Sequence, residues 1–270
     1  MGRPSYETVI LSDLHLGSET ARADEALETL QGISFRRLIL LGDIFADLNF
    51  RRLKKEHWRF LSYIRKLSNP KRGVEVVWVE GNHDMGLTDV MSHLVGVPVY
   101  QEYVWEQGGR RHLAVHGHQF DSFVLRDRFC LCGFGGYLFL LIQKLDSRRQ
   151  RLARLLDRLE TRWLRLTEKV AQGAIVRAQA VGAKRVFCGH THQPGRVERD
   201  GISYFNTGAW TNECPTFITI GDEEVTIHEY TSGIGDRHSG EERGEAVAAL
   251  AGFPGEPGLS PDVEYAGVYR

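Results

Sequence analysis

Runs of consecutive apolar residues, each ending at a polar motif, alternate with segments of helical periodicity in the first third of the chain. Buried strands rich in Val, Ile and Leu are predicted over residues 6–13, 36–43 and 74–80. Between those strands, residues 20–31 and 53–68 carry apolar side chains at helical spacing. This alternation predicts an α/β fold with parallel strands, whose functional residues lie at the carboxyl ends of the strands.

The pattern changes in the rest of the chain. Turn residues between alternating segments predict hairpins at residues 102–118, 196–208 and 216–230. We therefore expect one domain over residues 1–232, with a helical insertion at about 121–182. Residues 233–270 are rich in Gly, Pro and Glu and lack periodicity, so we expect a disordered tail.

Composition restricts the class of protein without naming its chemistry. The 270 residues carry a net charge of −1, with 42% hydrophobic and 26% charged residues, and no nucleic-acid partner is expected. Four cysteines and the absence of a signal-peptide pattern predict reduced thiols and a cytoplasmic location. The most apolar run, residues 129–142, is shorter than the roughly 18–20 residues of a membrane-spanning helix. Trp58, Trp78 and Trp105 are expected in the core.

Five short polar motifs stand where predicted strands end. They are Asp13-Leu14-His15, Gly42-Asp43, Gly81-Asn82-His83-Asp84, His116-Gly117-His118 and Gly189-His190-Thr191-His192. Any one of them alone is typical of an ordinary turn. Together they offer carboxylate, amide and imidazole ligands, and side chains two positions apart in an extended segment share a face. Such a set suits two divalent ions that share a bridging carboxylate.

The order of these motifs resembles the calcineurin-like metallophosphoesterase superfamily over residues 6–230. The resemblance implies a four-layer α/β/β/α sandwich with a dinuclear metal centre. It implies one metal held by Asp13, His15 and His192, a second held by Asn82, His116 and His190, and Asp43 bridging both. By the same resemblance, His83 would face the substrate phosphate and Asp84 would orient it, both as catalytic residues.

The ligand types admit more than one metal. Manganese is favoured, with iron and zinc as alternatives, because ligand geometry does not choose among them. Two ions about 3.5–4 Å apart stabilise the attacking and leaving oxygens of an in-line displacement and generate hydroxide at neutral pH. His83 could stabilise the developing charge or protonate the leaving oxygen. The expected enzyme is a metallophosphoesterase.

The insertion carries the sequence features that bear on the substrate. The apolar run at residues 129–142 is followed by an Arg-rich segment with one apolar helical face, residues 147–169. Such a helix could pack on the core with solvated arginines. Beside a metal site, the combination suits a substrate with an acyl part and an anionic part, or docking onto an anionic membrane. Arg126, Arg128 and His118 are the candidate substrate contacts.

Within the superfamily, the chain resembles the UDP-2,3-diacylglucosamine pyrophosphatases of lipid A biosynthesis. The matching motifs are SDLHLG at 12–17, GDIF at 42–45, HG at 116–117 and GHTH at 189–192. That family commonly has Arg at the position of His83 and an acidic residue at that of His118. The resemblance implies release of UMP from a lipid-linked nucleotide, at the inner face of the cytoplasmic membrane. A phosphodiesterase or phosphatase for soluble substrates and a non-catalytic scaffold are the alternatives.

Overall fold

The computed structural model describes residues 3–86, 96–121, 166–222 and 224–231. The helices are α1 (Ala23–Gly32), α2 (Lys55–Leu67) and α3 (166–180). The strands are β1 (Ser5–Leu11), β2 (Ser34–Leu41), β3 (Glu75–Val79), β4 (Val99–Tyr100), β5 (Glu102–Gln107), β6 (Arg110–Val115), β7 (Arg185–Cys188), β8 (Gly195–Arg199), β9 (Ile202–Asn206), β10 (Thr216–Ile220) and β11 (Val225–Glu229). Residues 122–165 of the predicted insertion and the predicted tail lie outside the described residues.

The first sheet has six strands in the order β11-β10-β1-β2-β3-β4. Its centre is parallel, as predicted: Val9 of β1 lies opposite Leu38 of β2, which lies opposite Val76 of β3. The predicted hairpin of β10 and β11 pairs antiparallel with β1. The edge strand β4 was not predicted, because two residues are too few to show an alternating pattern.

The second sheet has five strands in the order β5-β6-β7-β9-β8. Strands β6, β7 and β9 are parallel, and the hairpins β5–β6 and β8–β9 close its two edges. The two hairpins turn at Gly108-Gly109 and Asp200-Gly201, and all four turn residues have a positive φ. A two-residue turn that matches the twist of its strands requires this conformation, which is why these sequences predict hairpins.

The alternation of side chains along the strands produces three apolar clusters, one between each pair of neighbouring layers. In β1, Val9 and Leu11 pack with α1 and α2, whereas Ile10 packs between the two sheets. The outer face of the second sheet packs against α3 through Ala174 and Ile175. The layers are therefore helix, sheet, sheet and helix, as the resemblance implied, and both sheets bury both faces.

The helices place their apolar side chains on one side. Helix α2 buries His57, Phe60, Leu61 and Ile64. Trp58 lies about 100° around the helix from the buried His57, and its side chain is 45% exposed. The prediction that Trp58 belongs to the core is therefore wrong. Trp78 and Trp105 are buried as predicted. In the described part of the chain, no helix combines the length and the apolar character that crossing a membrane requires.

Candidate metal centre

The loops that carry the predicted ligands follow the carboxyl ends of β1, β2, β3, β6 and β7. Neighbouring parallel strands bring these ends side by side. Backbone hydrogen bonds then fix one loop to the next. The N–H of Asp13 donates to the carbonyl of Gly42 in the first sheet, and the N–H of Gly189 donates to the carbonyl of His116 in the second, each at 3.0 Å.

The backbone of these loops adopts a conformation that favours glycine. Among the described residues, the non-glycine residues with a positive φ are Asp13, His15, Asp43, His190, His192 and Asp200. All but Asp200, which lies in a hairpin turn, belong to the predicted ligand set. Such a conformation costs on the order of 1 kcal/mol or more per residue and clusters at functional sites. Its concentration here indicates that the fold holds these side chains in place for a purpose other than stability.

Asp13, His15 and His192 form the first cluster, with potential ligand atoms within 4.8 Å of one another. The Nε2 atom of His192 lies 3.1 Å from Oδ1 of Asp13, and that of His15 lies 3.8 Å from the same oxygen. The two Nε2 atoms are 3.3 Å apart. The three donor atoms therefore face a common volume, where the resemblance to metallophosphoesterases places one ion.

Asp43, His116 and His190 form the second cluster, under the same limit of 4.8 Å. The Nε2 atom of His116 lies 3.3 Å from Oδ2 of Asp43. Asn82 adjoins this cluster, because its Oδ1 atom lies 3.1 Å from Nδ1 of His190. The four side chains are those predicted for the second ion and the bridging position.

Asp43 adjoins both clusters. Its carboxylate also groups within 4.8 Å with His15 of the first cluster and with His83. The structure thus brings all the predicted ligands into one site, with Asp43 between its two halves. The assignment of each ligand to an ion stays a prediction.

Hydroxyl and amide groups make hydrogen bonds to the ligand Asp13 and to the loop that carries His190 and His192. The Ser12 hydroxyl donates to Oδ2 of Asp13 and is hydrogen-bonded to the Thr207 hydroxyl. Nδ2 of Asn206 donates to the carbonyl of Gly189 at 2.7 Å, which fixes the loop after β7. Asn206 and Thr207 stand at the carboxyl end of β9, and this position is their only sequence signal.

Burial and carboxylates set the charge of the site. Burial opposes protonation of His116, yet the adjacent carboxylates of Asp43 and Asp13 raise the pKa of His116 to about 10. Burial raises the pKa of Asp43, but the His116 imidazole outweighs it and holds that pKa below its usual range. Burial lowers the pKa of His15 to about 4. The site therefore stabilises positive charge beside its carboxylates and keeps His15 neutral, the form in which imidazole binds metals.

The donor set fits divalent ions. Oδ1 of Asp13 and Nε2 of His116 are buried, and neither has a hydrogen-bond partner among the described residues. Buried polar atoms without a hydrogen bond are rare and require an explanation, such as an ion. Carboxylate oxygen, amide oxygen and imidazole nitrogen together suit manganese, iron or zinc. These residues could therefore hold the two ions that the family resemblance implies.

His83 presents one ring nitrogen to the site. Its Nδ1 lies 2.7 Å from the carbonyl of Ala46, which can only accept, so Nδ1 carries a proton. Its Nε2 lies 4.0 Å from Oδ2 of Asp43, and the side chain is 36% exposed. Nε2 has no hydrogen-bond partner among the described residues and is open to a substrate oxygen beside Asp43. The role of His83 stays a prediction.

Asp84 contacts the backbone and not the His83 ring. Its buried carboxylate accepts the N–H groups of Ile44 at 3.0 Å and Phe45 at 2.9 Å. Burial, and then a neighbouring carboxylate, raise the pKa of Asp84 to about 7. In this structure Asp84 therefore holds the loop after β2, and the Ala46 carbonyl in that loop orients His83. The catalytic role of Asp84 stays a prediction.

The predicted substrate contacts are only partly described. The His118 ring lies beside the second cluster, with ring centroids 5.6 Å from His116 and 6.4 Å from His190. Burial lowers the pKa of His118 to about 3, so its imidazole is neutral at physiological pH. Arg126 and Arg128 lie outside the described residues, and their roles stay predictions.

Sequence analysis missed Asp121. Its buried carboxylate lies at the second cluster, with Oδ2 3.3 Å from Nε2 of His190. Asp121 follows a single 3₁₀ turn, His118–Phe120, which is too short for a periodic pattern to show which way a side chain points. Only its place in the sequence HGHQFD, shortly after His116, could have drawn attention to it.

The fold and the paired clusters define the architecture of a metal-dependent hydrolase. Residues 7–222 match the family model described as the calcineurin-like phosphoesterase superfamily domain, so the chain belongs to this superfamily. The protein is accordingly a metallophosphoesterase of a family that uses divalent metal ions. No curated protein matches its sequence.

Several solved structures are similar to this chain. An archaeal phosphodiesterase has 15% identity and a TM-score of 0.46, covering 82% of this chain and 98% of its own. Vps29 from Entamoeba histolytica complexed with Zn²⁺ has 17% identity and a TM-score of 0.43, covering 85% and 94%. A predicted phosphoesterase from Streptococcus pneumoniae has 18% identity and a TM-score of 0.38, covering 84% and 94%. The family assignment rests on the matched family model.

Proposed function

We propose that the protein hydrolyses a pyrophosphate or phosphodiester bond in a lipid-linked nucleotide such as UDP-2,3-diacylglucosamine, using two divalent ions, with manganese favoured. Metal-dependent phosphoester hydrolysis follows from the family. The observation that carries the proposed chemistry is the position of Asp43, whose carboxylate groups with histidines on both sides of the site. A carboxylate shared in this way suits a pair of ions acting on one phosphoryl group.

The chain's own residues would orient the substrate. When bound, two divalent ions supply Lewis-acid stabilisation of the phosphoryl group and lower the pKa of an attacking water. His83 is oriented by the Ala46 carbonyl. In its imidazolium form, with protons on both ring nitrogens, it would stabilise the phosphoryl charge through Nε2 or give the Nε2 proton to the leaving oxygen. Asp84 holds the loop that carries both Asp43 and Ala46, so the bridging carboxylate and the His83 ring keep a fixed relation.

The position of the insertion supports a lipid-linked substrate. Its first residue, Asp121, is 3.3 Å from His190 of the second cluster. On its other side, Val170 of α3 packs near Gly117, the residue after His116. The intervening sequence includes the apolar run at residues 129–142. Burying an acyl chain among apolar side chains gains about 0.8 kcal/mol per methylene. A segment inserted beside the phosphoryl site is well placed to hold such a chain.

The anionic part of the substrate would meet basic and imidazole side chains. Arg126 and Arg128 follow closely after Asp121 in sequence, and arginine binds phosphate oxygens through paired hydrogen bonds. His118 already lies beside the second cluster. We propose these three residues as substrate contacts.

A substrate panel tests the proposal. The Mn²⁺-loaded protein is given UDP-2,3-diacylglucosamine, its unacylated analogue and an aryl phosphodiester, and UMP or phenol release is measured. We expect UMP release from the acylated substrate with a higher kcat/KM than from the analogue, and its loss in Asp43→Asn. Cleavage of the aryl ester alone would refute the lipid assignment and leave a phosphodiesterase for soluble substrates. A folded protein that cleaves none, with Asp43→Ala still performing its cellular role, would indicate a scaffold.

Removing the insertion separates substrate recognition from chemistry. Replacing residues 124–166 with a short linker is expected to lower kcat/KM for the acylated nucleotide by on the order of 100-fold, because acyl burial is lost. Hydrolysis of the aryl ester should change little in the same protein, provided that its metal content is unchanged. Undiminished cleavage of the acylated nucleotide would show that the insertion does not hold the acyl chain.

We also propose a cytoplasmic protein that associates reversibly with an anionic membrane surface. The arginines of residues 147–169 support this, because each basic residue near such a surface contributes about 1 kcal/mol. The protein should co-sediment with phosphatidylglycerol vesicles at low salt and be released at about 0.5 M NaCl. Vesicles of phosphatidylcholine are the control, and equal binding to both would contradict an electrostatic surface.

A further inference from the structure

Asp121 is a buried carboxylate beside the second cluster that the proposed chemistry does not use. Its side chain is 8% exposed, and Oδ2 lies 3.3 Å from Nε2 of His190. It is also the first residue of the predicted insertion, and residues 122–165, which follow it, lie outside the described part of the chain. A buried carboxylate this close to an imidazole is placed to accept a hydrogen bond from it.

The other nitrogen of His190 faces the second cluster. Nδ1 lies 3.1 Å from Oδ1 of Asn82, and both residues are predicted ligands of the same ion. Two ligand atoms that each lie about 2.0–2.1 Å from one ion at a right angle are about 3 Å apart. The His190 ring is thus oriented with Nδ1 toward the ion position and Nε2 toward Asp121.

The two ring nitrogens of a neutral imidazole have opposite roles, and the partner of one sets the role of the other. A carboxylate on Nε2 takes the N–H there and leaves the lone pair on Nδ1 for a metal. The backbone of His190 has a φ of 66°, a costly conformation that the surrounding loop must hold.

We propose that Asp121 is the positioning residue of His190, which fixes the tautomer and the direction of the imidazole that binds the second ion. The inference rests on the proposed two-ion centre and deepens it. It also makes the first residue of the insertion part of the second ion's environment, so that the chain entering the insertion is tied to the metal site. Nothing in the five motifs assigns this role.

Metal binding to three variants of the full chain tests the proposal. Metal-depleted wild type, Asp121→Ala and Asp121→Asn are titrated calorimetrically with Mn²⁺. Loss of such a carboxylate partner costs about 10–100-fold in metal affinity. We expect this loss at one of two sites in Asp121→Ala, a smaller loss in Asp121→Asn, and no change at the other site. The control is Glu106→Gln, which removes a carboxylate paired with Arg111 near the hairpin end of β5 and β6.

The His190 tautomer supplies a readout that a purely structural role would not change. ¹⁵N NMR of the ring in the Zn²⁺-loaded protein should show an Nε2 proton that is protected from exchange in wild type and exchanges faster in Asp121→Ala, because its carboxylate partner is lost. Should that variant fail to fold, Asp121→Asn, which has nearly the same shape, carries the test. Two ions bound with wild-type affinity by a folded Asp121 variant would overturn the inference. Fewer than two ions bound by the wild type would overturn the two-ion centre itself.

Discussion

Gly81 and Gly189 are required at the site because a side chain at either position would occupy the space of a carboxylate. A Cβ at Gly81 would overlap the carboxylate of Asp43, and one at Gly189 would overlap that of Asp13. Neither glycine has a positive φ, so conformational freedom is not the reason for its presence. The two carboxylates central to the clusters can approach the neighbouring loops only because these positions lack a side chain.

Gly189→Ala should therefore displace the Asp13 carboxylate and weaken the first cluster. We expect hydrolysis to fall on the order of 100-fold, because a displacement of about 1 Å in a catalytic group has effects of this size. Gly221→Ala is the matched control, since a Cβ there meets nothing within 4 Å and its φ is also not positive. Equal activity of the two variants would show that the carboxylate tolerates displacement.

His83 is predicted to act on the substrate and not on the metals. His83→Gln should keep the metal stoichiometry and lower kcat by about 10²–10⁴-fold, the usual contribution of a general acid. The loss should be larger for a nucleotide leaving group than for p-nitrophenolate, which needs no protonation. Comparison of the two substrates checks this, and an equal loss for both would point to charge stabilisation instead of proton transfer.

At the scale of single residues, the ligands in the motifs could be predicted from the sequence, but the groups that position those ligands could not. Asp13, Asp43 and His190 stand in short motifs directly after predicted strands, so their convergence follows from strand order. The Ala46 carbonyl and Asp121 act from irregular segments. Their roles depend on φ and ψ values that no periodic pattern encodes.

The strands and helices form the next scale, and here turn chemistry was informative. Hairpins at Gly108-Gly109 and Asp200-Gly201 were predicted because only such residues adopt two successive positive φ values readily. The side of α2 that Trp58 occupies was not predicted, because a tryptophan was assumed to be buried whatever its helical position. The short strand β4 has too few residues to be recognised.

The end of β9 is predicted to hold the loop of the GHTH motif. Asn206 is buried and donates to the carbonyl of Gly189 and to the hydroxyl of Thr191 at 3.1 Å. Asn206→Ala should lower the free energy of unfolding by about 1–3 kcal/mol, because the Gly189 carbonyl loses a buried donor. Urea unfolding of the metal-depleted protein measures this effect.

Ser203→Ala, on the same strand, is the control for Asn206→Ala. Among the described residues, its hydroxyl reaches just the exposed Glu198 side chain at 3.4 Å, so its effect should stay within about 0.5 kcal/mol. Similar losses in the two variants would show that Asn206 acts through its strand and not through the loop.

For the whole molecule, the apolar layer between the two sheets joins the halves of the site. His112 lies in this layer and is fully buried, stacked on Trp105 with ring centroids 5.0 Å apart. Burial is the main reason that the pKa of His112 is lowered to about 4. The order of the four layers was predicted from the family resemblance. The burial of His112 between the sheets was not predicted.

His112 should make stability depend on pH. Because its pKa is lowered in the folded protein, its neutral form stabilises the fold above about pH 6.5, and this contribution is lost as the pH falls toward 4. The loss between pH 7 and pH 5 should be about 2 kcal/mol. Urea unfolding of metal-depleted wild type and His112→Phe at both pH values measures it. An equal decrease in the two proteins would assign the pH dependence to other groups.

The two-ion centre around Asp43 is tested most directly by titrating the metal-depleted protein with Mn²⁺ while following hydrolysis of an aryl phosphodiester. We predict no turnover without metal, a rate that saturates at two bound ions per chain, and loss of that rate in Asp43→Asn. Undiminished turnover in the metal-depleted protein, or an Asp43→Asn variant as active as the wild type, would contradict a phosphoesterase centre bridged by Asp43.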